Sequence, residues 1–88
     1  MRIWSLLKKN QKIIASSLDE FDSPSLFEIM EQVCPVFDIP HPLIIEKHER
    51  EFANFSRTIF KPSDFIETVS FDTFEIEVFK EKKGNSQQ

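Results

Sequence analysis

The sequence predicts a small α+β fold, a mixed sheet with one main helix packed on one face, and three stretches predict it. In residues 71–80, FDTFEIEVFK, Phe74, Ile76 and Val78 alternate with Glu75 and Glu77, so an extended segment has one oily side and one charged side. In residues 2–9, RIWSLLKK, Ile3, Ser5 and Leu7 alternate with Arg2, Trp4, Leu6 and Lys8, a second strand with one mostly apolar face and one mixed face. Between them, Leu26, Phe27, Met30, Val33, Cys34 and Phe37 recur at helical spacing, with Glu28, Glu31 and Gln32 on the opposite side.

Each element has its own local reason. Lys9-Asn10-Gln11 suits a reversal, because Asn tolerates left-handed backbone, and the KIIASSL that follows reads as the returning strand of a hairpin. Ser23-Pro24 reads as an N-cap followed by proline at the first helical position, where the missing N–H costs nothing. Pro35 falls inside the helical pattern and predicts a kink or an end near Val33 and Cys34.

Beyond the helix, Pro40-His41-Pro42 forces extended backbone, and Leu43, Ile44 and Ile45 predict a short middle strand. Residues 46–55 carry Phe52 and Phe55 three apart among charges, which suits a short surface helix. Residues 57–60 suit a brief strand, and Pro62-Ser63-Asp64-Phe65 one helical turn opened by proline. Residues 1–80 then form a single domain, and residues 81–88 a polar tail that frays. With a crossover between them, the last strand is expected to run parallel to the first and beside it.

This order resembles the β-grasp architecture of ubiquitin, with MRIW opening the first strand, PLII as the short middle strand, KPSDF as the helical turn and FEIEVF as the last strand. A ferredoxin-like fold is the alternative if residues 46–55 form a true second packing helix. At the level of sequence, MRIW, FEIMEQVC, FANFSRTIFKPSDFIE and FDTFEIEVF together resemble a group of short, stand-alone bacterial proteins of unassigned function. That resemblance implies a complete protein and supplies no activity.

Composition narrows the function classes. The 88 residues are 40% hydrophobic and 30% charged, which fits one folded domain with one core. Ten Phe, one Trp and no Tyr point to dry packing built from rings. The net charge is −4 and comes in blocks: Arg2, Lys8, Lys9 and Lys12 lie in the first 16 residues without an acid, and seven acids without a Lys or Arg follow in residues 17–46. One cysteine excludes an internal disulfide framework and suits a reducing compartment. With no signal-peptide core and no apolar run near the roughly 18 residues a membrane span needs, the expected location is cytoplasmic.

No catalytic, metal or cofactor constellation emerges, so the chain is not expected to be an enzyme or to carry a cofactor. His41 and His48 lack the spacing of a zinc motif, and no Cys-x-x-Cys is present. His41 between prolines reads as loop and His48 as a solvated surface residue. Cys34 lies on the apolar stripe of the helix, where a thiol acts as a small hydrophobe and its thiolate is disfavoured. Phosphate cradles need glycine backbone, and the single glycine, Gly84, is in the tail. The hairpin lysines with Trp4 raise single-stranded nucleic-acid binding. Against it stand the net charge and Glu75 and Glu77 on the adjoining strand, with which those lysines are expected to pair.

The remaining constellation is a face. With Ile3, Ser5, Leu7, Phe74, Ile76 and Val78 turned to the helix, Trp4, Leu6, Glu75, Glu77 and Phe79 turn outward. By the PLII match, Ile44 falls at the centre of the recognition surface of ubiquitin. Large apolar residues on an uncovered sheet face form a binding patch, so the expected role is a small interaction module binding a protein partner or itself there. Two arrangements are open: residues 46–60 leave that face exposed, or they fold over it and bury Trp4.

Overall fold

The hairpin closes through Asn10 and Gln11 in the computed structural model of the chain, which describes residues 1–79. Their φ angles of 53° and 65° provide the positive values that a two-residue turn needs to match the twist of its strands. It joins β1 (Arg2–Lys9) to β2 (Lys12–Glu20), and Asp72 secures it by accepting the Asn10 N–H at 2.7 Å. The register skips between Leu7, opposite Ala15, and Lys8, opposite Ile13, leaving Ile14 as the extra residue of a β-bulge.

Two helices follow, α1 (Leu26–Phe37) and α2 (Glu46–Phe55). The α1 cap is Ser25, two residues after the expected Ser23. Its hydroxyl accepts the Glu28 N–H at 3.1 Å, and the Glu28 carboxylate accepts the Ser25 N–H at 2.8 Å, a reciprocal capping box. Leu26, Ile29, Met30, Val33 and Cys34 are buried, whereas Phe27 is exposed, so the apolar stripe is rotated toward Ile29 from the one the sequence suggested. Pro35 does not end the helix at Val33 or Cys34. The bond it forfeits is to the carbonyl of Glu31, an exposed residue that water can satisfy. The helix stops at Phe37, where Asp38 turns left-handed (φ 57°) and Ile39 N–H bonds back to Cys34 O at 3.1 Å.

The expected strand at Leu43–Ile45 does not form. Leu43 N–H instead bonds Asp64 O at 2.7 Å, docking the loop on the 3₁₀ turn Pro62–Asp64. The short strand β3 (Arg57–Phe60) and the closing strand β4 (Thr73–Phe79) complete the structure. The polar tail lies outside the described residues.

The sheet has order β2-β1-β4-β3 and every neighbouring pair is antiparallel. This corrects the mixed sheet and the parallel pairing of first and last strands, and with them the β-grasp order. The physical reason is the second helix. β2 ends at Glu20, beside Arg2, and α2 leads into Ser56, whose carbonyl accepts the Val78 N–H at 2.8 Å; Val78 in turn faces Ile3. The two-helix connection therefore begins and ends at the same end of the sheet. β3 sets off in the direction of β1, and β4 returns against both. The element order, hairpin, two helices, two strands, also differs from the ferredoxin-like alternative.

Both helices lie on one side. Ile3, Leu7, Phe60, Phe74 and Ile76 meet Leu26, Ile29, Met30, Val33 and Cys34 in one core, with Phe52 of α2 packed against it. As the composition suggested, the core is ring-built: Phe74 touches Phe37, Phe60 and Phe71 at centroid distances of 6.1, 6.0 and 6.5 Å, and Phe71 meets Phe65 at 5.3 Å.

Candidate interaction face

The side of the sheet away from the helices is assembled from alternate residues of all four strands. Register fixes its rows: Leu18, Trp4, Glu77 and Arg57 form one, and Ser16, Leu6, Glu75 and Ile59 the next. Beyond the first row lie Arg2 and Phe79; beyond the second lie Lys8 and Thr73. Residues 46–55 pack on the opposite side, where Glu51 accepts the Thr58 hydroxyl at 2.8 Å, so α2 leaves this face uncovered.

At the centre, the Glu75 side chain retains only 9% exposure. Lys8 reaches it at 3.2 Å from one flanking strand and Arg57 at 3.3 Å from the other, and the Thr73 hydroxyl donates to it at 3.3 Å. The expected lysine–glutamate pairing across strands is thus present, at Lys8 and Glu75. Leu6, directly opposite Glu75, is buried at 4% exposure.

Toward the Arg2 end the face turns apolar. Trp4 is half-buried and meets the ring of Phe79, itself 38% exposed, while Leu18 stands beside it in the row at 49%. The last turn of α2 brings Phe55 to the same corner, and Trp4, Phe79, Phe55, Glu77 and Asn54 frame an open cleft of about 490 Å³. Phe55, at 71% exposure, also borders a second cleft with Arg57 and Ile59.

Of the residues named from the sequence, Trp4, Leu6, Glu75, Glu77 and Phe79 share this face. Ile44 does not: it packs against the core on the helix side, because the strand that was to present it is absent. Sequence reasoning missed Leu18, Ile13, Ile14 and Phe55. The alternation of β2 carried the signal for Leu18, the bulge breaks it at Ile13 and Ile14, and the position of Phe55 depends on how α2 ends: Ser56 turns left-handed at φ 59°.

Of the remaining candidate reactive groups, Cys34 and His48 are enclosed and His41 is not. Cys34 is buried against Met30, with sulfur atoms 3.7 Å apart, and burial pushes its thiol up to about 11. His48 is fully buried instead of solvated. Its Nδ1 accepts the Ile45 N–H at 3.1 Å as the third residue of α2, and its ring lies 4.2 Å from that of Phe60. His41 is exposed beside Phe27, with centroids 6.4 Å apart. Among the described residues, no three His, Cys, Asp or Glu gather to hold a metal ion, and no helix is long and apolar enough to cross a membrane. At the Arg2 end, the Met1 ammonium binds Glu20 at 2.9 Å and holds its carboxyl below the usual carboxylate range.

Comparison with models of protein families, with curated proteins and with solved structures finds no match.

Proposed function

We propose that this protein is a small interaction module that binds a protein partner through the outer face of its sheet, and that it acts by binding and not by catalysis. The observation that carries the reading is the gathering of Trp4, Phe79 and Phe55 around one open cleft, with exposed Leu18 beside Trp4 on the neighbouring strand. Half-exposed aromatic residues on a rigid sheet supply large contact area at low entropic cost, and such residues dominate binding energy at interfaces. Glu77 lies in the same cleft, which favours a partner whose apolar contact is flanked by a basic group. The buried Cys34 and His48 argue against a Cys-His reaction centre. The single free thiol suits a reducing interior, so we place the protein in the cytoplasm.

The test is recovery of a partner with the full chain, followed by its affinity for purified Trp4→Ala and Phe55→Ala variants. The expected result is at least tenfold weaker binding with the far-ultraviolet spectrum preserved. Unchanged affinity in both variants, or loss of fold in Trp4→Ala, overturns the proposal.

Single-stranded nucleic-acid binding is the second reading, favoured by Lys9 and Lys12 at the hairpin tip. That tip is five residues from Trp4, roughly 17 Å along an extended strand, and Lys8 is engaged by Glu75. A salt titration with oligonucleotides decides it, because phosphate contacts weaken steeply as salt rises.

A further inference from the structure

We infer that two copies of this chain join through the outer edge of β2, antiparallel, into one continuous eight-stranded sheet. The inference rests on the strand's edge and its sequence, and stands independently of the reading of the sheet face.

β2 is the end strand of the sheet, nine residues long, and among the described residues it pairs with β1 alone. Its other edge presents a row of backbone N–H and C=O groups, the template on which another strand adds. The two edges of the sheet are treated differently. β3 is four residues long, opens on Arg57 and is followed by Lys61 and Pro62, which blunt it. β2 has no proline, and apart from the bulge at Ile14 its edge is unbroken; its middle, Ile13 to Leu18, carries no charge while exposing Ile13, Ile14 and Leu18 at 53, 54 and 49%.

The occupant follows from the charge order. KIIASSLDE has Lys12 at one end and Asp19 and Glu20 at the other, so a strand running antiparallel to itself brings unlike charges together at both ends. A two-fold axis perpendicular to the sheet keeps each face on its own side, which allows only registers that centre on a residue. Centring on Ser16 sets Ile14 against the partner's Leu18, Ala15 against the partner's Ser17 and Lys12 against the partner's Glu20, with Ile13 against the partner's Asp19 as the one mismatched pair. Centring on Ser17 would set Ile14 against the partner's Glu20 and Ala15 against the partner's Asp19. Centring on Ala15 would set Lys12 against the partner's Leu18. Only the first sets Ile14 against the partner's Leu18 and Lys12 against an acid within the strand itself. It also places both copies' Trp4 faces on the same side of the joined sheet.

The test uses the full chain. Sedimentation over a concentration series is expected to show a dimer, and Lys12→Glu, which sets acid against acid, is expected to weaken it at least tenfold. In a Cys34→Ala background, Ser16→Cys is expected to cross-link to its own copy under mild oxidation. Residues directly opposite have Cα atoms about 4.5 to 5.5 Å apart, within disulfide reach. Glu20→Cys, whose counterpart is displaced to the far end of the partner strand, is expected to remain uncross-linked. A wild-type chain that stays monomeric at several hundred micromolar overturns the inference. So does a dimer in which Ser16→Cys fails to cross-link, or in which Glu20→Cys cross-links as fast.

Discussion

The rings of Trp4 and Phe79 meet edge to face on the outer side of the sheet, with centroids 6.3 Å apart and planes at 82°. An aromatic pair in this geometry contributes about 0.5 to 1.5 kcal/mol beyond the area it buries. A double-mutant cycle of Trp4→Ala and Phe79→Ala, read by urea unfolding, is expected to return a coupling in that range. Both single variants are expected to remain folded, because neither ring belongs to the core. A coupling of zero means that the two rings are solvated independently, and the corner is then less ordered than its geometry implies.

Phe74 and Phe55 separate core from surface among the ten phenylalanines. Phe74 is fully buried under three other rings, so Phe74→Ala is expected to cost about 3 to 5 kcal/mol. Phe55 is 71% exposed, and Phe55→Ala is expected to change stability by less than about 0.5 kcal/mol. Parallel melting curves check both values. Equal costs would place Phe55 in the core and remove it from the binding corner.

What the sequence made legible follows the range of each signal. Alternation in residues 74–78 is local, and it gave both the strand and the split between its core side and outer side, now seen in buried Phe74 and Ile76. Strand direction is not local. It depends on where the chain re-enters the sheet, and that depended on α2, a helix whose charged sequence looked like a surface feature until buried His48 and half-buried Phe52 anchored it. His48 was misread for the same reason: a histidine among Glu46, Lys47, Glu49 and Arg50 gives no sign that its helix face is turned inward. Ile44 was assigned by analogy with a strand that did not form, and it moved to the core with the loop that replaced it.

Glu75 with Lys8 and Arg57 tests whether a buried charge cluster stabilises or specifies. Removing the carboxylate in Glu75→Ala is expected to cost about 1 to 2 kcal/mol, because both cations are partly exposed and recover water. Glu75→Leu, which fills the space beside Leu6 with apolar surface, is expected to be near neutral. Chemical denaturation at neutral pH distinguishes them. A large loss in Glu75→Leu would mean that the cluster is itself a principal source of stability.

Cys34 gives the chain a pH dependence on the alkaline side. Burial raises its thiol from about 9 to about 11, so the folded state holds the proton that the unfolded chain releases. Unfolding is then favoured as pH rises above about 9, and the effect levels off near 11, with a total on the order of 2 to 3 kcal/mol. Cys34→Ala is expected to flatten that slope. In the native chain the thiol is expected to resist alkylation at pH 8 and to react promptly once urea unfolds it. Rapid native labelling would show that α1 opens locally.

His48 joins two tasks that substitution can part. Its Nδ1 accepts the Ile45 N–H, so the ring proton sits on Nε2, 3.5 Å from Asp64 Oδ2 and without a hydrogen bond. That oxygen also accepts the Lys61 N–H at 2.8 Å, and at its 3.5 Å distance the buried Nε2–H is left without a hydrogen bond. His48→Phe keeps the ring on Phe60 and removes the unsatisfied donor, at the loss of one capping bond to Ile45, an exposed residue that water can reach. The opposing effects are each about 1 kcal/mol, so the variant is expected to lie within about 1 kcal/mol of wild type. His48→Ala loses the ring as well, and is expected to cost about 2 to 4 kcal/mol. If the two variants unfold alike, the Ile45 bond and not the contact with Phe60 fixes α2 against the sheet.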